Sequence, residues 1–329
     1  MACLTPGAGS LSNDAYQTSC PNVEAIVLAA VEEAVANDPR MPASLLRLHF
    51  HDCFVNGCDA SVLLDETLGF QGEKSAAPNA NSLRGFEVID AIKSQLESAC
   101  PQTVSCADIL AIAARDSVVL SGGPTWEVLM GRKDSFFANK ALATASLPAP
   151  NSDLPTLLRK FHDVGLSTKD MVALSGGHTI GKARCSTFSS RLMAAGSSDS
   201  SSSTSTTGGG INVDTAFLAS LRQLCSNNPD SNSSSSTSTA VAELDFTTPT
   251  TFDNQYYVNL LSGDGLLASD HALVAHDGSS DVRSLVELYA QDLEAFFEDF
   301  MESMLKMGSL KPLIGNRGQI RRNCRAVNH

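Results

Sequence analysis

A chain of 329 residues, 43% of them hydrophobic, is long enough to bury a large core in one or two domains. Its formal net charge of −13 disfavours nucleic acid and anionic membranes as partners, and no apolar run approaches the ~18 residues of a membrane span. The first ten residues lack both a basic stretch and a long apolar one, so a secreted form would be one from which the signal peptide has gone.

In chain order, Cys20-Pro21-Asn22 opens a helix over 23–35. Good helix formers after Pro42 then predict a helix running into His51. On it Arg47 and His51 stand four residues apart and share a face, whereas His49 points the other way. A fixed cation beside an imidazole makes an acid/base pair; the plainer alternative is a histidine packed in the core and an arginine paired to a carboxylate. Cys53 and Cys58 bound a short loop that a disulfide could clamp, with Gly57 for a sharp bend and Asp52, Asp59 and Ser61 supplying oxygens. Hard oxygens on a constrained loop suit calcium. Zinc on His49, His51 and Cys53 is the weaker alternative, because that spacing on a helix splays its ligands.

Helices follow over 86–96, where Ile89, Ile92 and Lys93 form one stripe, and over 106–120, stopped at Gly122-Gly123-Pro124. Asp108 lies inside the second, and Arg132 is a candidate ion-pair partner. After a Pro-rich connector over 147–155, further helices are expected over 157–164, 168–174, 217–224 and 284–307, the last the longest. Strand alternation is almost absent, so the fold class is mainly α with minimal β. The stretches 196–210 and 230–239 are nearly pure small polar residues, which cannot bury enough apolar area to offset their ordering entropy, and read as mobile surface loops. Asn232-Ser233-Ser234 is the glycosylation sequon found. The domain reading is a tail over 1–10 and one domain over 11–329.

The nine cysteines, at 3, 20, 53, 58, 100, 106, 185, 225 and 324, form no CxxC pair and suit disulfides in an oxidising compartment better than a zinc ribbon. The count is odd, and Cys3 is the leftover.

Residues Gly176 to Lys182 fit the start of a phosphate loop, but Ala183 stands where Ser or Thr must hold magnesium and no strand precedes the loop. The better reading makes His178 an iron ligand. The glycines beside it would let a flat ligand approach closely, and Asp270 is the candidate carboxylate behind the imidazole.

The stretch Arg47-Leu48-His49-Phe50-His51-Asp52-Cys53-Phe54-Val55-Asn56-Gly57-Cys58-Asp59-Ala60-Ser61 resembles the distal haem motif of secreted plant (class III) haem peroxidases, the horseradish type. Ala173-Leu174-Ser175-Gly176-Gly177-His178-Thr179-Ile180-Gly181 resembles their proximal motif. Glu73-Lys74, Asn79-Ala80-Asn81-Ser82, Arg84-Gly85-Phe86, Val104-Ser105-Cys106-Ala107-Asp108, Gly131-Arg132 and Phe252-Asp253-Asn254-Gln255-Tyr256-Tyr257 match in the family's order, so the resemblance covers about residues 4–328.

The resemblance implies about ten helices, with haem between a distal and a proximal half. His178 would be the axial ligand to haem iron and Asp270 would accept its other ring N–H. His51 would be the general base towards hydrogen peroxide, Asn79 would fix its tautomer with Glu73 holding Asn79, Arg47 would stabilise developing charge, and Phe50 would wall the pocket. Peroxide would be reduced to water through a ferryl intermediate, and two small aromatic donors, phenols foremost, would each give one electron near Pro148. Two calcium ions are implied. One would take Asp52, Asp59 and Ser61 with the carbonyls of Val55 and Gly57; the other Thr179, Asp245, Thr248 and Asp253 with the carbonyl of Thr251. The implied disulfides are Cys20–Cys100, Cys53–Cys58, Cys106–Cys324 and Cys185–Cys225. The haem would be b-type and held without a covalent link, because no C-x-x-C-H occurs. The expected protein is a secreted monomer. Ile180, Asn151-Ser152 and the Ser/Thr-rich inserts depart from the family's common pattern and leave donor preference open. A calcium- and disulfide-stabilised binding protein with dead chemistry is the competing class; it would have no need of Arg47, His51, Asn79, His178 and Asp270 together.

Overall fold

The computed structural model describes residues 10–194, 215–226, 240–275 and 280–328. The tail with Cys3, the stretches 196–210 and 230–239, and the sequon at Asn232 lie outside the described residues, except for Ser10. Thirteen α-helices and one two-stranded sheet are present among those described, so the protein is mainly α.

The chain divides into two compact units, one running to Leu147 and resuming at Met301, the other spanning Pro148–Phe300. In the first, α1 (Val23–Asn37), α2 (Met41–Cys53), α3 (Phe86–Ala99) and α4 (Cys106–Leu120) pack together, followed by the short α5 (Lys140–Ser146). Helix α4 is nearly all small and aliphatic residues, buried on every side from Cys106 to Ala114, and Ser105 caps it by accepting the Asp108 N–H at 3.1 Å. Buried Asp108 meets the expected Arg132 at 2.7 Å and also accepts the Tyr16 hydroxyl at 2.7 Å, so the charge sits fully partnered in the core. Lys93 on α3 is buried too, its ammonium reaching the Val104 carbonyl at 2.7 Å.

In the second unit, α6 (Leu154–Val164) starts under an Asp153 cap and stops at Gly165, whose φ is +98°. A Ser167–Asp170 capping box opens α7 (Thr168–Ser175). Lys182–Arg184 (β1) pairs antiparallel with Val241–Glu243 (β2). Against this two-stranded sheet pack α8 (Cys185–Ala194) and α9 (Thr215–Ser226), with Phe188, Leu192, Leu218, Leu221, Leu266 and Leu267 buried together. The short α10 (Gln255–Leu261) and α11 (Ala268–Ala272) precede α12 (Ser280–Gln291) and α13 (Leu293–Gly308); the unit boundary falls within α13.

The single helix expected over 284–307 is in fact two. The break comes at Asp292, whose side chain accepts the Ala295 N–H at 3.0 Å, a capping bond that begins a new helix without Gly or Pro. All four expected disulfides are formed.

Candidate active site

In the first unit the helical spacing of α2 brings Arg47 and His51 together, with Arg47 Nε donating to His51 Nε2 at 3.1 Å. The other guanidinium nitrogens donate to the carbonyls of Ser82 (3.0 Å) and Pro78 (2.9 Å) and to the Ser82 hydroxyl (3.1 Å), fixing the fork. His51 Nδ1 meets Asn79 Oδ1 at 2.6 Å, while Asn79 Nδ2 donates to the main-chain carbonyl of Glu73 at 2.9 Å. That second bond orients the amide, so Oδ1 accepts, Nδ1 carries the hydrogen and the lone pair lies on Nε2. Asn79 is thus held through the Glu73 backbone, whereas the Glu73 carboxylate accepts the Asn139 N–H at 3.0 Å. Burial, then the Arg47 charge, lowers the His51 pKa well below the usual imidazole value; His51 is a neutral base at neutral pH. Phe50 lies beside it at 5.7 Å between ring centroids and packs on Phe54 at 4.2 Å.

His49 is buried on the other face, its ring against the Cys53 sulfur at 3.7 Å. Burial and Arg132 push its pKa down to about 3. Since Cys53 is bridged to Cys58 and the two histidines face apart, the zinc alternative has no ligand set, and no three His, Cys, Asp or Glu side chains converge on a metal site among the described residues.

The loop after α2 carries Asn56 (φ +67°), Gly57 (φ +108°) and Ala60 (φ +58°) in left-handed conformations. A Cβ on Gly57 would lie 2.5 Å from the Leu310 carbonyl, so the loop needs glycine there for close approach as well as for its φ. Buried Asp52 accepts the Ala60 N–H through Oδ2 at 2.9 Å, but its Oδ1 has no partner, and neither has the Ser61 hydroxyl. Asp59 Oδ1 accepts the Ser61 N–H at 3.0 Å. Burial, reinforced by Asp59, raises the Asp52 pKa well above the carboxylate range, and burial raises that of Asp59 to about 6. Two desolvated carboxylates, one of them with an orphaned oxygen, beside an unpartnered hydroxyl fit a hard cation of calcium's kind.

In the second unit His178 sits on a 3-10 turn, Gly176–Thr179, directly after α7. Its Nδ1 meets Asp270 Oδ1 at 2.9 Å. Asp270, on α11, is held by the Leu267 N–H at 2.8 Å and by the Tyr256 hydroxyl at 3.1 Å. Burial opposes ionisation of Asp270, yet the adjoining His178 imidazole and these donors together bring its pKa below the usual value. An anionic Asp270 takes the Nδ1 hydrogen and leaves the Nε2 lone pair free on a side chain 38% exposed, the donor arrangement a haem iron needs. The glycine at 176 serves a different purpose from the one expected: a Cβ there would lie 2.4 Å from the Tyr257 hydroxyl and 2.5 Å from the Phe296 ring. It lets the turn seat on aromatic packing.

Thr179 is buried next to Asp245. Its hydroxyl lies 3.4 Å from Asp245 Oδ2 and 3.1 Å from Asp253 Oδ1, and the Thr248 hydroxyl lies 3.3 and 3.2 Å from the same two oxygens. Four side-chain oxygens therefore converge, with the Thr248–Thr251 turn closed by a 3.0 Å main-chain bond, and the set fits a second calcium. Pro148 is half-buried at the start of the unit, in a turn tied by the Ser152 hydroxyl to the Ala149 N–H at 3.1 Å.

A sequence model of the peroxidase family matches residues 27–292. Peroxidase 40 of Arabidopsis thaliana is 58% identical over 313 residues, 95% of this chain and 84% of that protein. Peroxidase 4 of Vitis vinifera is 49% identical over 324 residues, 98% and 93% of the two chains, and a peroxidase of Armoracia rusticana 49% over 314 residues, 95% and 85%. The chain belongs to the peroxidase family, in its plant class III branch, and is a haem peroxidase that uses hydrogen peroxide to oxidise aromatic donors.

Proposed function

We propose that His51 is the acid/base catalyst of peroxide reduction and His178 the axial ligand of a non-covalently held haem b. The observation that carries the first assignment is the oriented chain from the Glu73 carbonyl through Asn79 to His51, which leaves a neutral Nε2 as the only basic atom of the ring. When bound, the haem supplies an iron that accepts peroxide and stores the two oxidising equivalents released as the O–O bond breaks. His51 Nε2 takes the proton from the attacking oxygen and returns it to the departing one as water. For that, the Arg47 Nε–H now on Nε2 must turn from the base to the peroxide, where the fixed guanidinium offsets charge on the leaving oxygen. Asn79 keeps the proton on Nδ1, and Phe50 walls the site against bulk water. Asp270, by accepting from Nδ1 of His178, makes Nε2 a more basic ligand.

Two calcium ions complete the reading, one on Asp52, Asp59 and Ser61 with the carbonyls of Val55 and Gly57, the other on Thr179, Asp245, Thr248 and Asp253 with the carbonyl of Thr251. The donors are small phenols, each giving one electron near Pro148. The protein is a secreted monomer in this reading; the four disulfides support an oxidising compartment, and no helix among the described residues is long and apolar enough to cross a membrane. His178→Ala tests the axial assignment: the variant is expected to lose or strongly shift the haem Soret band, and full haem uptake with an unchanged spectrum overturns it.

A further inference from the structure

Three of the chain's four tyrosines lie in one line that begins at the proximal histidine. The ring of Tyr256 stands edge-on to His178 with centroids 5.9 Å apart. Tyr257 follows at 5.1 Å and Tyr289 at a further 5.1 Å, and none of the three is more than 2% exposed. Every hydroxyl donates to an acceptor: Tyr256 to Asp270 at 3.1 Å, Tyr257 to the Val172 carbonyl at 2.9 Å and Tyr289 to Asp299 Oδ2 at 2.7 Å. Asp299 pairs with Lys169 at 2.7 Å, and both side chains reach solvent. Packing alone asks only for three aromatic rings, which phenylalanine supplies elsewhere in this core at Phe252, Phe296 and Phe300. What tyrosine adds is a ring that gives up one electron, provided a base takes the phenolic proton. The first and last members of the line each have a carboxylate in place for it.

We infer that Tyr256, Tyr257 and Tyr289 form an internal electron relay that carries oxidising equivalents from the haem side of His178 to Tyr289 when no small donor is at the haem. The inference rests on the assignment of His178 to the iron. Reduction of one hydrogen peroxide to two waters takes two electrons from the loaded enzyme and two protons from solvent. In the relay, one of those electrons comes from Tyr256, whose O–H bond breaks with transfer of the proton to Asp270 Oδ1. An electron from Tyr257 then refills Tyr256, which recovers its proton from Asp270. Tyr257 faces only main-chain carbonyls, which are poor bases, so it keeps its O–H bond and its electron is replaced from Tyr289 in the same transfer. The Tyr289 proton goes to Asp299 Oδ2, leaving a neutral phenoxyl one side chain below the surface. A phenolic donor outside returns the electron and releases its own proton to water, while Asp299 gives the stored proton back to Tyr289.

The test uses the haem-loaded enzyme, mixed with one equivalent of hydrogen peroxide without donor, frozen on the millisecond scale and read by electron paramagnetic resonance. The wild type is expected to give a tyrosyl signal. Tyr289→Phe should lose that signal, Tyr257→Phe should lower its yield at least tenfold, and Asp299→Asn should lower it while keeping every ring. If Tyr257→Phe does not take up haem, Asp299→Asn and Tyr289→Phe carry the test. A wild type without a tyrosyl signal, or a signal of unchanged shape and yield in Tyr289→Phe, overturns the relay. Steady-state oxidation of a small phenol separates the two readings: wild-type turnover without a radical sinks the relay alone, whereas no peroxide-dependent turnover at all sinks the haem assignment and the relay with it.

Discussion

At the scale of single residues, the decisive contrast lies between two histidines two positions apart on α2. His51 has a fixed tautomer and a free Nε2; His49 has its ring against a disulfide. His51→Leu is therefore expected to slow the reaction with peroxide by at least the ~10²–10⁴-fold of positioned acid–base catalysis with haem binding kept. Arg47→Leu should also slow it, and Asn79→Val more mildly. His49→Leu should lower stability and leave the peroxide step fast; stopped-flow rates decide, and the reverse pattern would refute the assignment. His49 also predicts how stability follows pH. An unfolded histidine takes up its proton near pH 6.5, the folded His49 only near 3, and the half-buried His271 only near 4. Between those values the unfolded state binds more protons, so stability is complete above about pH 6.5 and falls as pH drops towards 3. Urea midpoints across this range should show the fall, and His49→Leu should flatten part of it; an equal slope in the variant counts against the buried neutral histidine. The Arg47–His51 pair was legible because helical periodicity alone puts i and i+4 on one face. The His178–Asp270 pair could not follow from helical spacing, since 92 positions separate its members; the residues offered Asp270 as a candidate, and the family resemblance gave it its role. The line of tyrosines does not show in the sequence, because Tyr289 joins Tyr256 and Tyr257 only after α10 and α12 have packed.

At the scale of elements, most helices of eight residues or more were readable, the ten-residue α8 excepted, and the shorter ones were not. Helices α1 to α4, α6 and α7 carry enough turns for an apolar stripe to repeat, whereas α5, α10 and α11 run only five to seven residues, and the three-residue strands of the sheet cannot show alternation. The Asp292 break between α12 and α13 stayed hidden because a capping carboxylate in mid-pattern looks like any exposed acid. Functionally the informative elements are the two oxygen-lined loops, each joined to a helix or turn that carries a histidine. Asp52 adjoins His51 and Thr179 adjoins His178, so a cation on either loop should steady the neighbouring ring. Calcium bound only by the native state stabilises it by ~2.7 kcal/mol at a hundredfold excess over Kd. Chelation is thus expected to lower the melting temperature and to shift the haem spectrum together. Removal of calcium that alters neither would take the ion out of both loops' function.

At the scale of the whole molecule, the chain's last segment returns to the unit it began in and closes it. The Arg132 guanidinium donates to the Gly308 carbonyl at 2.9 Å, the Cys58 N–H to the Leu310 carbonyl at 3.1 Å, and Arg321 to the Ala60 carbonyl at 2.6 Å. Buried Arg321 also pairs with Asp134 at 3.8 Å, and the Asp134 carboxylate accepts the N–H of Arg321 at 2.9 Å. These contacts lie around the oxygen-lined loop, and the Cys106–Cys324 bridge, spanning 218 positions, holds the segment in place. The Cys53–Cys58 bridge spans five positions within the loop itself. On the loop-entropy account the long bridge restricts the unfolded chain by about 5 kcal/mol and the short one by about 2. The two should therefore fail differently when replaced by alanine pairs. Loss of Cys106–Cys324 is expected to cost more in the urea midpoint at saturating calcium. Loss of Cys53–Cys58 is expected to cost less there but to weaken calcium binding more, because it frees the backbone that presents Asp52 and Asp59. Equal losses, or a larger loss of stability from the short bridge at saturating calcium, would mean that native packing of the closing segment, and not chain entropy, sets the contribution of the long one.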